Sequence, residues 1–396
     1  MKVLVAHNFY HSSVPSGENT VVQREISTLR ESGVNVIAFT RSSDDIPRLP
    51  LRQKLELPFA PMHSPTAVHQ LRELIGAHQP DVLHLHNPYP LLSPAVVKTA
   101  KRAGVAVVQT VHNFRHRCMA AFLYRDGHPC VECLGRAGPL PGVVHGCYRG
   151  SRTQSAVMAT TLAGHRALWR KLDGYIALTP LVADFLVDEV GAPLDAVTVK
   201  PNAAPDPGRI PPGGAGMLFL GRLSSEKGID LLLEAWMSMP AGDLRLTIAG
   251  DGPLKSQVVA AAAQREDISY AGRLDESAAQ QARERASVVV VPSTWAEICP
   301  LVVIEAMASS RAVLGTALGG LPWLIGDGGW VVAPEASALA ERIARLRESP
   351  AAVGATQRAA RKRFDDVFAP AGTADALVAV YSRAIARHRQ EPSMPT

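Results

Sequence analysis

Pro205-Asp206-Pro207-Gly208-Arg209-Ile210-Pro211-Pro212-Gly213-Gly214-Ala215-Gly216 divides the chain. Proline removes a backbone donor and glycine costs the most entropy to order, so this run cannot be an interior helix or strand. It reads as a linker over 205–216. On either side, short apolar runs alternate with helix-like stretches. Before it come Lys2 to Ala6, a Ser/Gly turn, a helical pattern from Glu18 to Arg30, then Val34 to Phe39, Asp81 to Leu85, Ala106 to Val111 and Tyr175 to Leu178. After it come Met217 to Leu220, a helix from Glu226 to Met237, Leu244 to Ala249, Ser287 to Val291, a helix around Val302 to Ala308, and Ala312 to Leu314. Such alternation calls for parallel sheets with right-handed crossovers. The expected fold is therefore α/β, with two Rossmann-like, doubly wound domains over 1–204 and 217–364. The first would carry a Cys-containing loop at 113–150. A C-terminal helix over 365–388 is expected to pack back on the first domain, followed by a tail at 389–396. Ligands of such sheets bind beyond the carboxyl ends of the strands, and two sheets leave a cleft.

With 396 residues, 47% hydrophobic and 19% charged, the chain has ample material for two cores and no case for disorder. No apolar run approaches the roughly 18 residues of a membrane span. The opening Met1-Lys2-Val3-Leu4-Val5-Ala6 gives way at once to His7-Asn8, unlike a secretory leader. The expected compartment is the cytoplasm, where thiols stay reduced. The net charge of +5 is unevenly placed: residues 113–171 carry +7 and the remainder −2. That segment suits phosphate groups, an acidic substrate or the inner face of a membrane, and a solvated surface equally. No nucleic-acid partner is expected.

The most informative motif follows the run Val288 to Val291: Pro292-Ser293-Thr294-Trp295-Ala296-Glu297-Ile298-Cys299-Pro300-Leu301-Val302-Val303-Ile304-Glu305. Pro300 suits a first helical turn, which leaves Glu297 just before the helix and Glu305 inside it. Rising about 1.5 Å per residue, the helix sets the carboxylates about 10 Å apart, too far to share one bond as in a glycosidase. Two acceptor groups at the ends of an extended ligand fit better, with a diphosphate near the positive helix terminus. An N-terminal helix acid beside an ordinary surface glutamate would satisfy the spacing too. The second motif is Gly221-Arg222-Leu223-Ser224-Ser225-Glu226-Lys227-Gly228. Arg222 and Lys227 on a strand-to-helix turn could clamp a diphosphate, or Glu226 could pair with one of them. The third, Val14-Pro15-Ser16-Gly17-Glu18-Asn19, opens a helix after the first strand and could cradle phosphate. It lacks the spacing of a P-loop or a dinucleotide fingerprint.

Gly221 to Gly228, Ala249-Gly250-Asp251-Gly252-Pro253 and the two glutamates eight apart resemble the retaining glycosyltransferase family 4, of GT-B fold. The resemblance implies that Arg222 and Lys227 hold the donor diphosphate, that Gly221 keeps their turn close, and that Glu305 accepts hydrogen bonds from the ribose. Glu297 would face the transferred sugar beside the backbone amides of Ile298, Cys299 and Leu301. Ser16 and Gly17 would lie against phosphate, His112 at the reacting sugar and Arg273 near the base. Three departures stand out. Ser16 replaces a frequent glycine, Asn113 follows His112 where Asp is common, and Pro300 offers no amide donor. The family's chemistry is front-face transfer with retention, without a protein nucleophile. No carboxylate cluster for a catalytic metal accompanies the motif, so no cofactor is expected.

Cys118, Cys130, Cys133 and Cys147 form a candidate structural zinc site, with buried reduced thiols as the alternative. Cys299 belongs to the donor motif. His84 and His86 alternate on a strand without a third ligand and read as packing or cleft residues. The stretch Ser151 to Lys171, with Trp169 and several arginines, is either a membrane-facing helix or a core crossover. The function expected is transfer of a hexose or N-acetylhexosamine-type sugar from a nucleotide diphosphate sugar, UDP first, to a hydroxyl. The acceptor is a saccharide or lipid-linked saccharide of envelope or capsule, or a small aminocyclitol. The rivals are an epimerase of the same fold and a non-enzymatic binding module.

Overall fold

A computed structural model describes residues 1–13, 16–135 and 138–390. Val14, Pro15, Arg136, Ala137 and the tail from 391 lie outside the described residues. The chain divides into two compact units. One comprises Met1–Leu123, Val131–Lys200 and Ala371–Thr396, the other Tyr124–Cys130 and Pro201–Pro370. The main crossing falls at Lys200, four residues before the expected 204. Tyr124–Cys130 counts with the second unit although its neighbours in the 113–150 loop count with the first.

In the first unit, β1 (Lys2–Phe9), β2 (Asn35–Ser42), β3 (Val82–Leu85), β4 (Ala106–Val111), β5 (Gly174–Ala177) and β6 (Val197–Val199) form one sheet. Their order is β2-β1-β3-β4-β5-β6, and every pairing is parallel. The central strands β3, β4 and β5 are buried throughout, which is why they read as unbroken apolar runs. Helix α1 (Gly17–Glu31) buries Val22, Ile26 and Leu29 against the sheet. Its N-cap is Ser16, whose Oγ accepts the Asn19 N–H. The hydroxyl that replaces a family glycine thereby satisfies an orphan donor of the helix start. Helix α2 (Arg152–Gly164) is shorter than the 151–171 stretch. It stops at Gly164, and Trp169 beyond it is 3% exposed, so that residue faces the interior and not a membrane.

The second unit repeats the design with β7 (Met217–Leu220), β8 (Leu246–Ala249), β9 (Ile268–Gly272), β10 (Val288–Val291), β11 (Ala312–Thr316) and β12 (Gly329–Val332) in the order β9-β8-β7-β10-β11-β12, again all parallel. Helix α3 (Ile229–Ser238) starts three residues later than expected from Glu226. A single 3-10 turn occupies Ser225–Lys227, and Gly228 at φ +70° separates it from the helix. Helices α4 (Glu276–Arg285) and α5 (Leu301–Ala308) follow. Pro300 is the N-cap of α5, leaving Leu301 as its first residue.

The expected helix at 365–388 is two pieces. Phe364–Phe368 is a π-type turn that ends the second unit, and Pro370 and Gly372 (φ +79°) break the chain. Helix α6 (Thr373–Gln390) then joins the first unit, placing Leu377, Val380, Tyr381 and Ala384 in its core beside Val108 and Ile176. The Tyr381 hydroxyl lies 2.8 Å from His84 Nδ1, so the last helix is tied to β3 by a buried hydrogen bond as well as by packing.

Candidate functional site

Strand order sets the site of the second unit. β7 is flanked by β8, from the following βα unit, and by β10, so the strand order reverses at β7. The turns after β7 and β10 open at that switch point, where doubly wound sheets take their ligands. These are the two motifs singled out above, and they interlock. The Thr294 amide donates to Glu226 O at 3.1 Å, and Thr294 Oγ1 donates to Ser225 O at 2.7 Å. Gly228 packs so tightly on Pro292 that a Cβ would sit 1.8 Å from the Pro292 carbonyl oxygen.

Lys227 and Glu297 meet in this arrangement. Lys227 Nζ donates to Glu297 Oε1 at 2.7 Å, and Ser293 Oγ donates to the same oxygen at 2.8 Å. Glu297 is 6% exposed at its side chain and Lys227 29%. The ammonium also stands 4.8 Å from the Trp295 ring centroid, a cation–π contact that steadies it. Glu226 is not its partner, because Glu226 Oε1 instead accepts from Ser224 Oγ at 2.6 Å. The Glu297 backbone is pinned as well: its carbonyl accepts from the Gly320 amide at 2.5 Å. A Cβ at Gly319, whose φ is +61°, would lie 2.2 Å from that carbonyl oxygen.

The other expected donor-site residues are placed as follows. Arg222 is exposed on the same turn as Lys227, and a Cβ at Gly221 would make only ordinary van der Waals contact with the Phe219 ring at 3.7 Å. Arg273 is exposed just beyond β9. Ile298 and Cys299 are buried, and Cys299 O accepts from Asn202 Nδ2 at 3.0 Å. Glu305 sits on α5 in an ion pair of 3.2 Å with Arg283 of α4, itself 5% exposed. One of its oxygens is therefore already held by a buried guanidinium.

In the first unit, His112 follows β4 and lines a small pocket with His86, Tyr89, Gln109, Arg115, His116 and Trp169. Burial pushes its imidazole down to about 3, so it is neutral in the working range. His112 Nε2 lies 2.9 Å from His86 Nδ1. Gly17 opens α1 and is exposed, beside Ser16.

Three residues that sequence reasoning passed over belong to this region. Glu25 of α1 comes to His84 and His86, supplying the third group that the strand pattern lacked. Tyr10 donates its hydroxyl to Glu18 Oε2 at 3.2 Å. Burial pushes Glu18 up to about 7, although Tyr10, Arg115 and Asn113 all favour its ionised form. An acid raised in the folded state withdraws stability as pH climbs from its unfolded value toward the folded one. Glu18→Gln should therefore gain in denaturation midpoint relative to the wild type on going from pH 5 to pH 8. An unchanged difference between the two pH values would refute the burial argument. The only advance signal was an acid in the first turn of a helix, which is commonplace.

The four clustered cysteines, Cys118, Cys130, Cys133 and Cys147, are all half-buried. All five thiols are reduced, and among the described residues the one set of three ligating groups close enough for a metal is Glu25, His84 and His86. Cys147 packs against the apolar cluster of Tyr89, Met119, Met158 and Leu162. No described helix is long and apolar enough to cross a membrane.

Two parallel Rossmann-like sheets, the second with a glycine-flanked cationic turn at its switch point, define the architecture of a GT-B glycosyltransferase. Residues 16–203 match the glycosyl transferase 4-like domain, and residues 214–349 match the glycosyl transferases group 1 domain. The chain belongs to the family 4 glycosyltransferases. Among curated relatives, it is 28% identical to the glycogen synthase of Mycobacterium tuberculosis over 347 residues, 82% of this chain and 83% of that protein. It is also 28% identical to the glycogen synthase of Rhodopseudomonas palustris, covering 63% of this chain and 57% of that protein. The solved structure of Anabaena HepE in complex with UDP superposes with a TM-score of 0.64 at 15% identity, covering 96% of this chain and 100% of that one.

Proposed function

We propose that this glycosyltransferase moves a hexose or N-acetylhexosamine-type sugar from a UDP-sugar to a hydroxyl of a saccharide, with retention. The observation that carries the reading is the Lys227–Glu297 pair where the β7 and β10 turns interlock. Lys227, with exposed Arg222 five positions before it on the same turn, binds the diphosphate and neutralises the charge that grows as the anomeric C–O bond breaks. Glu297, oriented by Lys227 and Ser293, faces the sugar together with the amides of Ile298, Cys299 and Leu301. Glu305 receives the ribose, Arg273 lies near the base, and Gly221 with Ser16 and Gly17 lets backbone approach phosphate. The acceptor hydroxyl adds to the anomeric carbon on the face that UDP leaves, and its proton passes to the departing phosphate oxygen. His112 contacts the transferred sugar. UDP as the nucleotide is supported by the ligand of the Anabaena structure.

A lipid-linked saccharide of envelope or capsule is the acceptor we favour. Support comes from the basic 113–171 segment and from a stripe at helical spacing on the first unit. Leu51, Leu55 and Phe59 are 75%, 71% and 57% exposed, beside exposed Arg48, Arg52 and Lys54. Apolar side chains flanked by cations suit the surface of an anionic bilayer.

The test is nucleotide release by the purified chain across a panel of UDP- and GDP-sugars, with soluble saccharides or membrane extract, with and without EDTA. The expected result is UDP release that needs an acceptor, persists in EDTA and gives a product with the donor's anomeric configuration. Release without acceptor, inversion, or no turnover of any donor would each overturn it.

A further inference from the structure

His112 stands at the head of a line of side chains that runs into the core of the first unit. Its ring stacks on His86 at 5.2 Å and 27°, with Nε2 2.9 Å from His86 Nδ1. The far nitrogen of His86, Nε2, points to Glu25 Oε2 at 3.7 Å. Both of these atoms are buried and neither makes a closer hydrogen bond. The other oxygen of Glu25 accepts from Lys200 Nζ at 2.8 Å. Burial works to raise Glu25, but the Lys200 ammonium, helped by the neighbouring imidazoles, holds it below the ordinary carboxylate range. The line therefore ends on a fixed negative charge.

The His86–His112 contact has two hydrogen-bond senses, and the carboxylate chooses between them. A bare lone pair on His86 Nε2 would face an anionic oxygen across 3.7 Å of buried space, where such repulsion is poorly screened. An N–H there places its positive end toward the charge. With the proton on Nε2, Nδ1 of His86 can only accept, so His112 Nε2 must be the donor. His112 then keeps its lone pair on Nδ1.

We propose that Glu25 and His86 are positioning residues that fix His112 as the Nε2–H tautomer, presenting Nδ1 as a hydrogen-bond acceptor for a hydroxyl of the bound sugar. The inference rests on the reading that places His112 at the transferred sugar. With burial holding His112 neutral, its tautomer is the variable that matters. A cation held by Glu25, His84 and His86 is disfavoured. Lys200 already neutralises the carboxylate, and both His84 nitrogens are engaged, by Thr110 Oγ1 and by the Tyr381 hydroxyl, each at 2.8 Å.

The experiment is nitrogen NMR on the full chain with labelled histidine, without donor, compared with Glu25→Gln and with Glu25→Gln/Lys200→Met. The double variant removes both buried charges together, so that folding survives where the single change leaves an unpaired ammonium. The wild type should show His112 with a protonated Nε2 and a bare Nδ1, and both variants a mixed or reversed tautomer. Turnover of the variants should fall about tenfold or more with the donor KM little changed, since a wrong tautomer spoils chemistry and not ground-state binding. A protonated Nδ1 in the wild type overturns the proposal. So does an unmoved tautomer in both variants, or stoichiometric metal whose removal shifts the His86 signals. A tautomer change in a chain that turns over no donor would sustain the device and overturn the functional reading instead.

Discussion

Lys227→Ala should lower kcat/KM by about two to three orders of magnitude, the cost of one preorganised charge at a developing oxyanion. The structure gives the ammonium two tasks, and alanine removes both. It deletes the positive charge proposed to meet the diphosphate, and it strips the closer of two donors from Glu297 Oε1. Glu297 is nearly buried, so losing that partner should also cost about 1–3 kcal/mol of stability. Lys227→Met separates the tasks from packing, because it keeps an unbranched chain near the Trp295 ring. Methionine should match alanine in lost turnover while recovering part of the packing. Lys227→Arg should rescue poorly, since a planar fork cannot take the place of a point charge 2.7 Å from one oxygen. Steady-state kinetics with UDP release and a thermal denaturation midpoint read both effects. If Lys227→Ala turned over at the wild-type rate, this turn would have no part in the chemistry.

Gly228→Ala should be among the most damaging single-methyl changes in the second unit. The residue sits at φ +70°, where a side chain costs about 1–2 kcal/mol. The new Cβ would also lie 1.8 Å from the Pro292 carbonyl oxygen, a backbone atom with no rotamer to escape into. Overpacking adds about 1–3 kcal/mol when neighbours must shift. The combined loss of about 2–5 kcal/mol is a large share of an ordinary domain's stability. Relief requires the β7 and β10 turns to separate, which would pull Lys227 from Glu297. Binding of UDP should therefore fall together with the denaturation midpoint. Gly354, which among the described residues has only the flexible end of Arg358 near it, at 3.9 Å, is the control: inside the helix Pro350–Arg363, Gly354→Ala should leave UDP binding unchanged and raise the midpoint slightly. A Gly228→Ala protein as stable as the wild type would show that the two turns are not locked together.

The central strands were legible because parallel strands covered on both faces have no polar alternation to confuse them. Val288 to Val291 and Ala106 to Val111 are the cleanest cases. Three of the four edge strands were not read. Val197–Val199, Ile268–Gly272 and Gly329–Val332 are partly exposed along their length, so their residues carry no continuous apolar signal. Helix starts failed where one backbone angle decided them, as at Gly228. In the site, Lys227 and Glu297 were found 70 positions apart because each sits in a turn with its own motif. Glu25 was missed for the opposite reason. It is one polar residue on an ordinary amphipathic helix, and only the packing of α1 on the sheet brings it to His86.

The return of α6 bears on the order in which the polypeptide can mature. Leu377, Val380 and Tyr381 fill the heart of the first unit, yet they are made only after every residue of the second. While the ribosome is still at work, the N-terminal sheet lacks one wall, whereas residues 201–370 already hold all of their unit but Tyr124–Cys130, which is made earlier. The later segment should thus become protease-resistant first. A nascent chain halted before Thr373 would still present β3 and β4 to chaperones.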